Sequence, residues 1–194
     1  MTSKLYTVSL ILAPLSFALS TFFWQKDGLY FQYSVTSGTL LIIGSIFWVL
    51  AFAAMFDVVK AGAPLYATLG MPVAVYGCLC GGVGFALRDV TAFVLHVPHK
   101  QLLDALAQHQ VFDNLVFWIG GPAFPLSLLA LGIVLTAAKK VPVWVGGMIV
   151  LGAVLFPVSR IMRNETIAHL DDVLLLIPLN YLALNRHKSA VPSG

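Results

Sequence analysis

Charged residues are scarce in this chain. Of 194 residues, 11 are Lys or Arg and 8 are Asp or Glu, 10% in all, whereas a soluble domain carries about 25%. So thin a coat of charge cannot cover a water-facing surface, which excludes an ordinary soluble globular protein. A lipid-facing surface needs no such coat. Basic runs interleaved with aromatics are missing too, and the net charge is only +3, so nucleic acid is not an expected partner. Cysteine is nearly absent. Cys78 and Cys80 stand alone as Cys-Leu-Cys inside an apolar run, not at the two-residue spacing of a redox or zinc pair. Positions two apart on a helix point about 200° away from each other, so both read as buried free thiols.

Long apolar runs are what the chain has in abundance: 59% of it is hydrophobic and the mean hydropathy is +0.92. A helix needs about 20 apolar residues to cross the hydrocarbon core. Runs at 5–24, 39–59, 65–87, 114–138, 141–158 and 167–184 meet or approach that length. The sequence therefore predicts an all-α fold, a polytopic transmembrane helix bundle of about six spans, with residues 1–194 forming a single transmembrane domain. The first run follows Lys4 as a signal peptide would. However, bulky Phe22, Phe23 and Trp24 come after it where a small-x-small cleavage site belongs, so it reads as a span. The third run is expected to continue as helix towards Val97.

The connections alternate in character. Those at Lys60–Pro64 and Lys139–Lys140 are very short and force antiparallel neighbours, while residues 25–38, 98–113 and 159–166 form longer segments on the opposite side. Within 100–113, Leu102, Leu103, Leu106 and Phe112 fall near one helical face and Gln101, Asp104, Gln108 and His109 elsewhere. That pattern predicts a short amphipathic interfacial helix between spans three and four. Lys4, Lys60, Lys139, Lys140, Arg186 and Lys188 gather on the side of the termini, where Asp57 is the one acid nearby. Positive charge near short loops marks the cytoplasmic face. The expectation is a multi-pass protein of the cell inner membrane with both termini cytoplasmic. Trp24, Tyr30, Phe31 and Tyr33 would then form an aromatic belt on the outer face.

No motif fixes a reaction. Seven of the eight acids, all but Asp57, and four of the five histidines map to the outer side. Ionisable groups at span ends are either solvated or functional. Arg88, Arg160, Arg163, His169, Asp171 and Asp172 are candidate ligand-binding residues around an outward-facing polar pocket. Guanidinium groups suit the phosphate of a lipid-like ligand. The plainer account pairs Arg160 and Arg163 with Glu165, Asp171 or Asp172 at the rim. His96, His109, His169 and Asp172 are a candidate metal set, with zinc the expected ion, because imidazole and carboxylate suit its tetrahedral geometry and the ion would polarise water. No His-Glu-x-x-His is present, and solvated surface groups are the plain alternative. The stretch Gly120-Gly121-Pro122-Ala123-Phe124-Pro125 is expected to kink or unwind the fourth span. Close packing is the other account of its glycines, and of Gly77, Gly81, Gly82 and Gly84.

Between Phe117 and Arg160 the chain reads Gly-Gly-Pro-x-Phe-Pro-Leu, then a basic turn with Val-Pro-x-Trp, then Leu-Gly-x-Val-Leu-Phe-Pro-Val-Ser-Arg. This resembles small six-span bacterial membrane proteins of uncharacterised families. The resemblance covers about the last three spans and its motifs are structural. It implies a bacterial inner membrane and six spans, and brings no activity with it. The expected function is binding or transport of a small or lipid-like ligand. Alternatives are a metal-dependent membrane hydrolase and a structural subunit of a larger membrane complex. The expected partners are the lipid bilayer, such a ligand, and copies of the chain or other subunits.

Overall fold

Apolar length is what makes the spans. In the computed structural model, Lys4–Thr21, Val35–Val59, Pro64–Val94, Gln110–Ala137, Val143–Met162 and Glu165–Asn185 are helices long and apolar enough to cross a membrane. Residues 2–27 and 30–189 are described, and the side chains of 4–25 and 33–185 among them. Lys26, Tyr30, Phe31, Arg186 and Lys188, which entered the sequence reading, have side chains outside the described residues. The elements in chain order are α1 (Thr2–Thr21), β1 (Trp24–Asp27), β2 (Tyr30–Tyr33), α2 (Val35–Val59), α3 (Pro64–Gly77), α4 (Phe85–Val94), α5 (His99–Ala107), α6 (Gln110–Asp113), α7 (Gly120–Ala137), α8 (Val143–Met162) and α9 (Glu165–Ser189). Two wide π-helical turns, Cys78–Gly84 and Asn114–Ile119, join α3 to α4 and α6 to α7. They make each pair one continuous span.

Each span packs beside the next in sequence, and the sixth returns to the first. The bundle is thus a ring closed in chain order. Rings from four spans fill its middle. Phe124 of α7 lies 5.0–5.8 Å, centroid to centroid, from Phe17 of α1, Trp48 and Phe52 of α2 and Phe156 of α8. All five are buried. Leu65, Leu69, Leu126, Ile133, Leu151 and Leu184 are exposed on the outside, where a bilayer would cover them.

The glycines of the third and fourth spans serve packing. A Cβ on Gly77 would strike the backbone of Ala123 and Phe124, and one on Gly120 would strike Cys80. Two backbones approach this closely only where no side chain intervenes. The distortion in the fourth span does not fall at its prolines, as expected, but one turn earlier at Asn114–Ile119. α7 runs through Pro125 without a break. Pro122 follows the π-helical turn by three residues, inside the same continuous span. Cys78 and Cys80 are free and buried.

The end of the bundle opposite the termini departs most from the sequence reading. Trp24–Asp27 and Tyr30–Tyr33 pair as an antiparallel hairpin, with Trp24 opposite Tyr33. The Ser34 hydroxyl donates to the Phe23 carbonyl at 2.7 Å and accepts from the Ser37 amide at 3.2 Å. It therefore caps α2 and ties the hairpin to the end of α1. The interfacial helix is α5, ending at Ala107. Residues 110–113, expected to belong to it, instead begin the fourth span as α6. The third span continues past residue 87 to Val94, and this brings Arg88 and Asp89 inside the bundle.

A buried ion-pair cluster at the hairpin end

Four local features converge at the hairpin end. The cross-strand pair Trp24 and Tyr33 turns inward, both rings buried and 5.5 Å apart. This corrects their expected place in a lipid-facing belt. The extension of α4 carries Arg88 and Asp89. α8 ends in Arg160 and Arg163, the latter in the left-handed conformation at φ 51°. Helices usually stop on glycine there. α9 starts after Asn164, whose side chain accepts from the Ile167 amide at 3.0 Å, and places His169, Asp171 and Asp172 in its second turn.

One group forms around Asp89, whose side chain is 1% exposed. Arg88 reaches one carboxylate oxygen at 2.9 Å, and Arg163 reaches the other at 2.5 Å. His99, the first residue of α5, lies 3.7 Å away. Arg88 also stands 4.4 Å from the Phe85 ring and 5.1 Å from the Phe117 ring, and Arg163 lies 5.3 Å from the Tyr33 ring. The second group forms around Arg160. Its guanidinium sits 4.8 Å from the Trp24 ring and 4.9 Å from the Phe156 ring, and 3.7 Å from Asp172. Asp171, with no exposed surface at 0%, is within electrostatic reach of Arg160 and Asp172. Three arginines and three aspartates are thus buried together, and the Trp24–Tyr33 pair stands between the two groups.

The hydrogen bonding of the second group is incomplete. All three guanidinium nitrogens of Arg160 and both carboxylate oxygens of Asp171 are buried without a hydrogen-bond partner, as is one oxygen of Asp172. Each such group costs roughly 1–3 kcal/mol, more where charged.

Environment shifts the titrating groups around the cluster. Burial raises the Tyr33 phenol above its ordinary value, although Arg160 and Arg163 pull it back, so it keeps its proton at neutral pH. Burial works against the charge of Arg163, but Asp89 outweighs it and holds the group protonated. Burial also lowers His99 below its ordinary 6.5, against the pull of Asp89 and with the help of Arg163 and Arg88. A histidine whose folded-state pKa is depressed takes up protons more readily when unfolded. Stability should therefore hold above about pH 6.5 and decline as the pH falls below it. Melting curves at pH 7.5 and 5.5 should show that decline in the wild type and a smaller one in His99→Gln. Equal declines would rule His99 out as the source.

All six candidate ligand-binding residues come to this end, though not as one rim. Arg160 and Asp172 meet, as the sequence spacing suggested. Arg163 instead turns to Asp89, because the longer α4 brings that carboxylate within its reach. His169 lies at the edge, 4.5 Å from the Phe22 ring. Asp89, Tyr33 and His99 were not singled out as site residues. The usable signal was an Arg-Asp pair at the end of an apolar run. The metal set does not assemble. His96, in the turn after α4, and His109, ahead of α6, are exposed. His169 turns Nε2 to Glu165 at 3.7 Å and Nδ1 to Asp172 at 3.9 Å, so the two carboxylates face opposite nitrogens and cannot share one ion with it. Among the described residues no group of three His, Cys, Asp or Glu side chains is placed to hold a metal.

Fold and cluster together define a polytopic helical membrane protein with a buried ionic site at one end of its bundle. Set against known proteins, the chain matches no family model, no curated protein and no solved structure.

Proposed function

We propose that this protein binds, or carries across the membrane, a small or lipid-like polar ligand at the hairpin end, with Arg160, Asp171 and Asp172 as its contacts. The observation that carries this reading is the unmet hydrogen bonding of the buried Arg160 guanidinium and Asp171 carboxyl. Ionisable groups inside a membrane protein are costly and mark substrate or ion pathways, and donors and acceptors kept dry without partners are rare. A ligand supplying both would remove that cost. Arg88, Asp89 and Arg163, already paired with one another, would hold the walls.

The same proposal places the protein in a bacterial inner membrane, with the termini in the cytoplasm. Exposed Lys4, Lys60 and Lys139 at that end support the orientation. The test is native mass spectrometry of protein purified in mild detergent without chelator, paired with elemental analysis. A retained small-molecule or lipid mass, lost in Arg160→Gln, is the expected result. A bare chain in both proteins would sink the reading. A stoichiometric transition metal lost in His169→Ala would replace it with a metal-dependent hydrolase.

A further inference from the structure

We propose that the ligand meets this site through an oxyanion, a carboxylate or phosphate group seated on the N–H edge of Arg160. The inference rests on the ligand-binding reading above and deepens it by naming the charge that the ligand carries.

The geometry singles out the edge of Arg160. Its side chain is 9% exposed, and none of its three nitrogens has a hydrogen-bond partner. The Trp24 and Phe156 rings, 4.8 Å and 4.9 Å from its guanidinium carbon, stabilise the charge but supply no oxygen or nitrogen acceptor to its N–H groups. Asp172 stands 3.7 Å away, near enough to attract and too far for a hydrogen bond. Arg88 and Arg163 differ, since each lies in contact with an oxygen of Asp89. Of the three buried arginines, Arg160 is the one with no carboxylate at contact distance.

The charges of the cluster are unequal in kind. Three guanidinium groups keep their charge at any ordinary pH, whereas a buried carboxyl can be relieved by holding a proton. Three arginines set against three aspartates therefore sum to zero or to a positive charge, never to a negative one. Glu165 and His169 stand at the exposed edge, and His99, when protonated, only adds to the positive side. An incoming anion can be balanced by a proton on one of the carboxyls. An incoming cation has no such adjustment, because no guanidinium gives up its proton. A neutral acceptor would leave the stronger, charge-assisted bonds unmade. A carboxyl that holds a proton also offers an O–H donor to the anion, so the unmet oxygens of Asp171 are compatible with this ligand and ask for no amine. The planar guanidinium presents parallel N–H bonds that match two oxygens of a carboxylate or phosphate, where a halide offers a single atom. Such oxyanions occur on free small molecules and on phospholipid headgroups.

The experiment measures binding to purified protein in detergent by calorimetry, with glycerol phosphate, glycerol and ethanolamine as anionic, neutral and cationic probes. The protein is then offered nanodiscs holding phosphatidylglycerol and diacylglycerol in equal amount, and native mass spectrometry reads which lipid it retains. The anion should be preferred at least about tenfold in one of the two settings, the factor carried by one charge-assisted hydrogen bond. Preference for free glycerol phosphate assigns a soluble ligand, and preference only for phosphatidylglycerol assigns the lipid. Arg160→Gln should lose the preference. Arg160→Lys keeps the charge without the paired donors, so it should hold the anion more weakly than wild type does, and it provides the readout if Arg160→Gln fails to fold. Wild-type protein with no preference for the anion, or either variant holding it as tightly as wild type, would overturn the oxyanion and leave the ligand site standing. So would a retained mass that carries no anionic group. No binding of any probe, free or on lipid, together with no retained mass, would overturn both.

Discussion

Asp89→Asn lowers the stability of the protein by about 3–5 kcal/mol, the usual cost of removing one partner from a buried ion pair. Asp89 is the one carboxylate between Arg88 and Arg163, at 2.9 Å and 2.5 Å, and asparagine would leave two guanidinium groups side by side in a dry site. Removing a charge from the other side at the same time should undo part of the damage, so Asp89→Asn with Arg163→Gln is expected to be more stable than Asp89→Asn alone. That coupling is the informative quantity, because it isolates the pair from any general disturbance of α4. Unfolding in mixed micelles of rising SDS fraction, followed by circular dichroism, is measured for the wild type, Asp89→Asn, Arg163→Gln and the double variant. A loss under about 1 kcal/mol in the single variant would place the network among solvated surface pairs.

Phe124→Ala should be comparably damaging, about 3–5 kcal/mol by the range for buried aromatic truncations. Its ring meets four others, edge-on to Trp48 at 5.1 Å and to Phe52 at 5.6 Å, and tilted against Phe17 at 5.8 Å and Phe156 at 5.0 Å. Within a bilayer there is little hydrophobic gain in moving a side chain from lipid to protein, so association rests on such packing. Truncation would leave a cavity at the point where spans one, two, four and five converge. The same SDS titration is the measure, and Phe124→Leu should fall between alanine and wild type. Among the described residues the ring contacts of Phe124 and the ion pairs of Asp89 share no residue, so combining Phe124→Ala with Asp89→Asn should give nearly additive losses. Marked coupling would show that the core and the ionic site move as one.

The membrane-crossing part of this architecture was legible because it depends on apolar length, which is a local property. The six spans fall where the hydropathy puts them, with ends displaced by a few residues. The displacements matter most where a charge lies near a boundary. Arg88-Asp89 reads as lying past the apolar part of the third span, on a helix expected to run on towards Val97. The helix does continue, to Val94, but Asp89 pairs with Arg163, 74 positions later (163 minus 89), and no local pattern predicts a partner at that distance. The hairpin left a clearer trace. Asp27-Gly28 between short runs of aromatic residues is a strong turn signal, but it was masked by reading residues 25–38 as a plain connection. Trp24 and Tyr33 were taken for a lipid belt because such residues favour interfaces; their cross-strand pairing turns them towards two arginines instead. The glycines of spans three and four were readable as packing residues. Which backbone each one meets was not, since that depends on how neighbouring spans are rotated.

Closure of the ring has a consequence for how the molecule is made. The ionic site draws on α1, the hairpin, α4, α8 and α9, so it cannot exist until the last span has been synthesised and has docked against the first. Until then Arg160 lacks both of its carboxylates. Asp171 and Asp172 arrive on a helix that has nowhere favourable to rest except the gap between α8 and α1. A chain whose sixth span is misplaced would leave Asp171 and Asp172 facing hydrocarbon, where ionisable groups are costly.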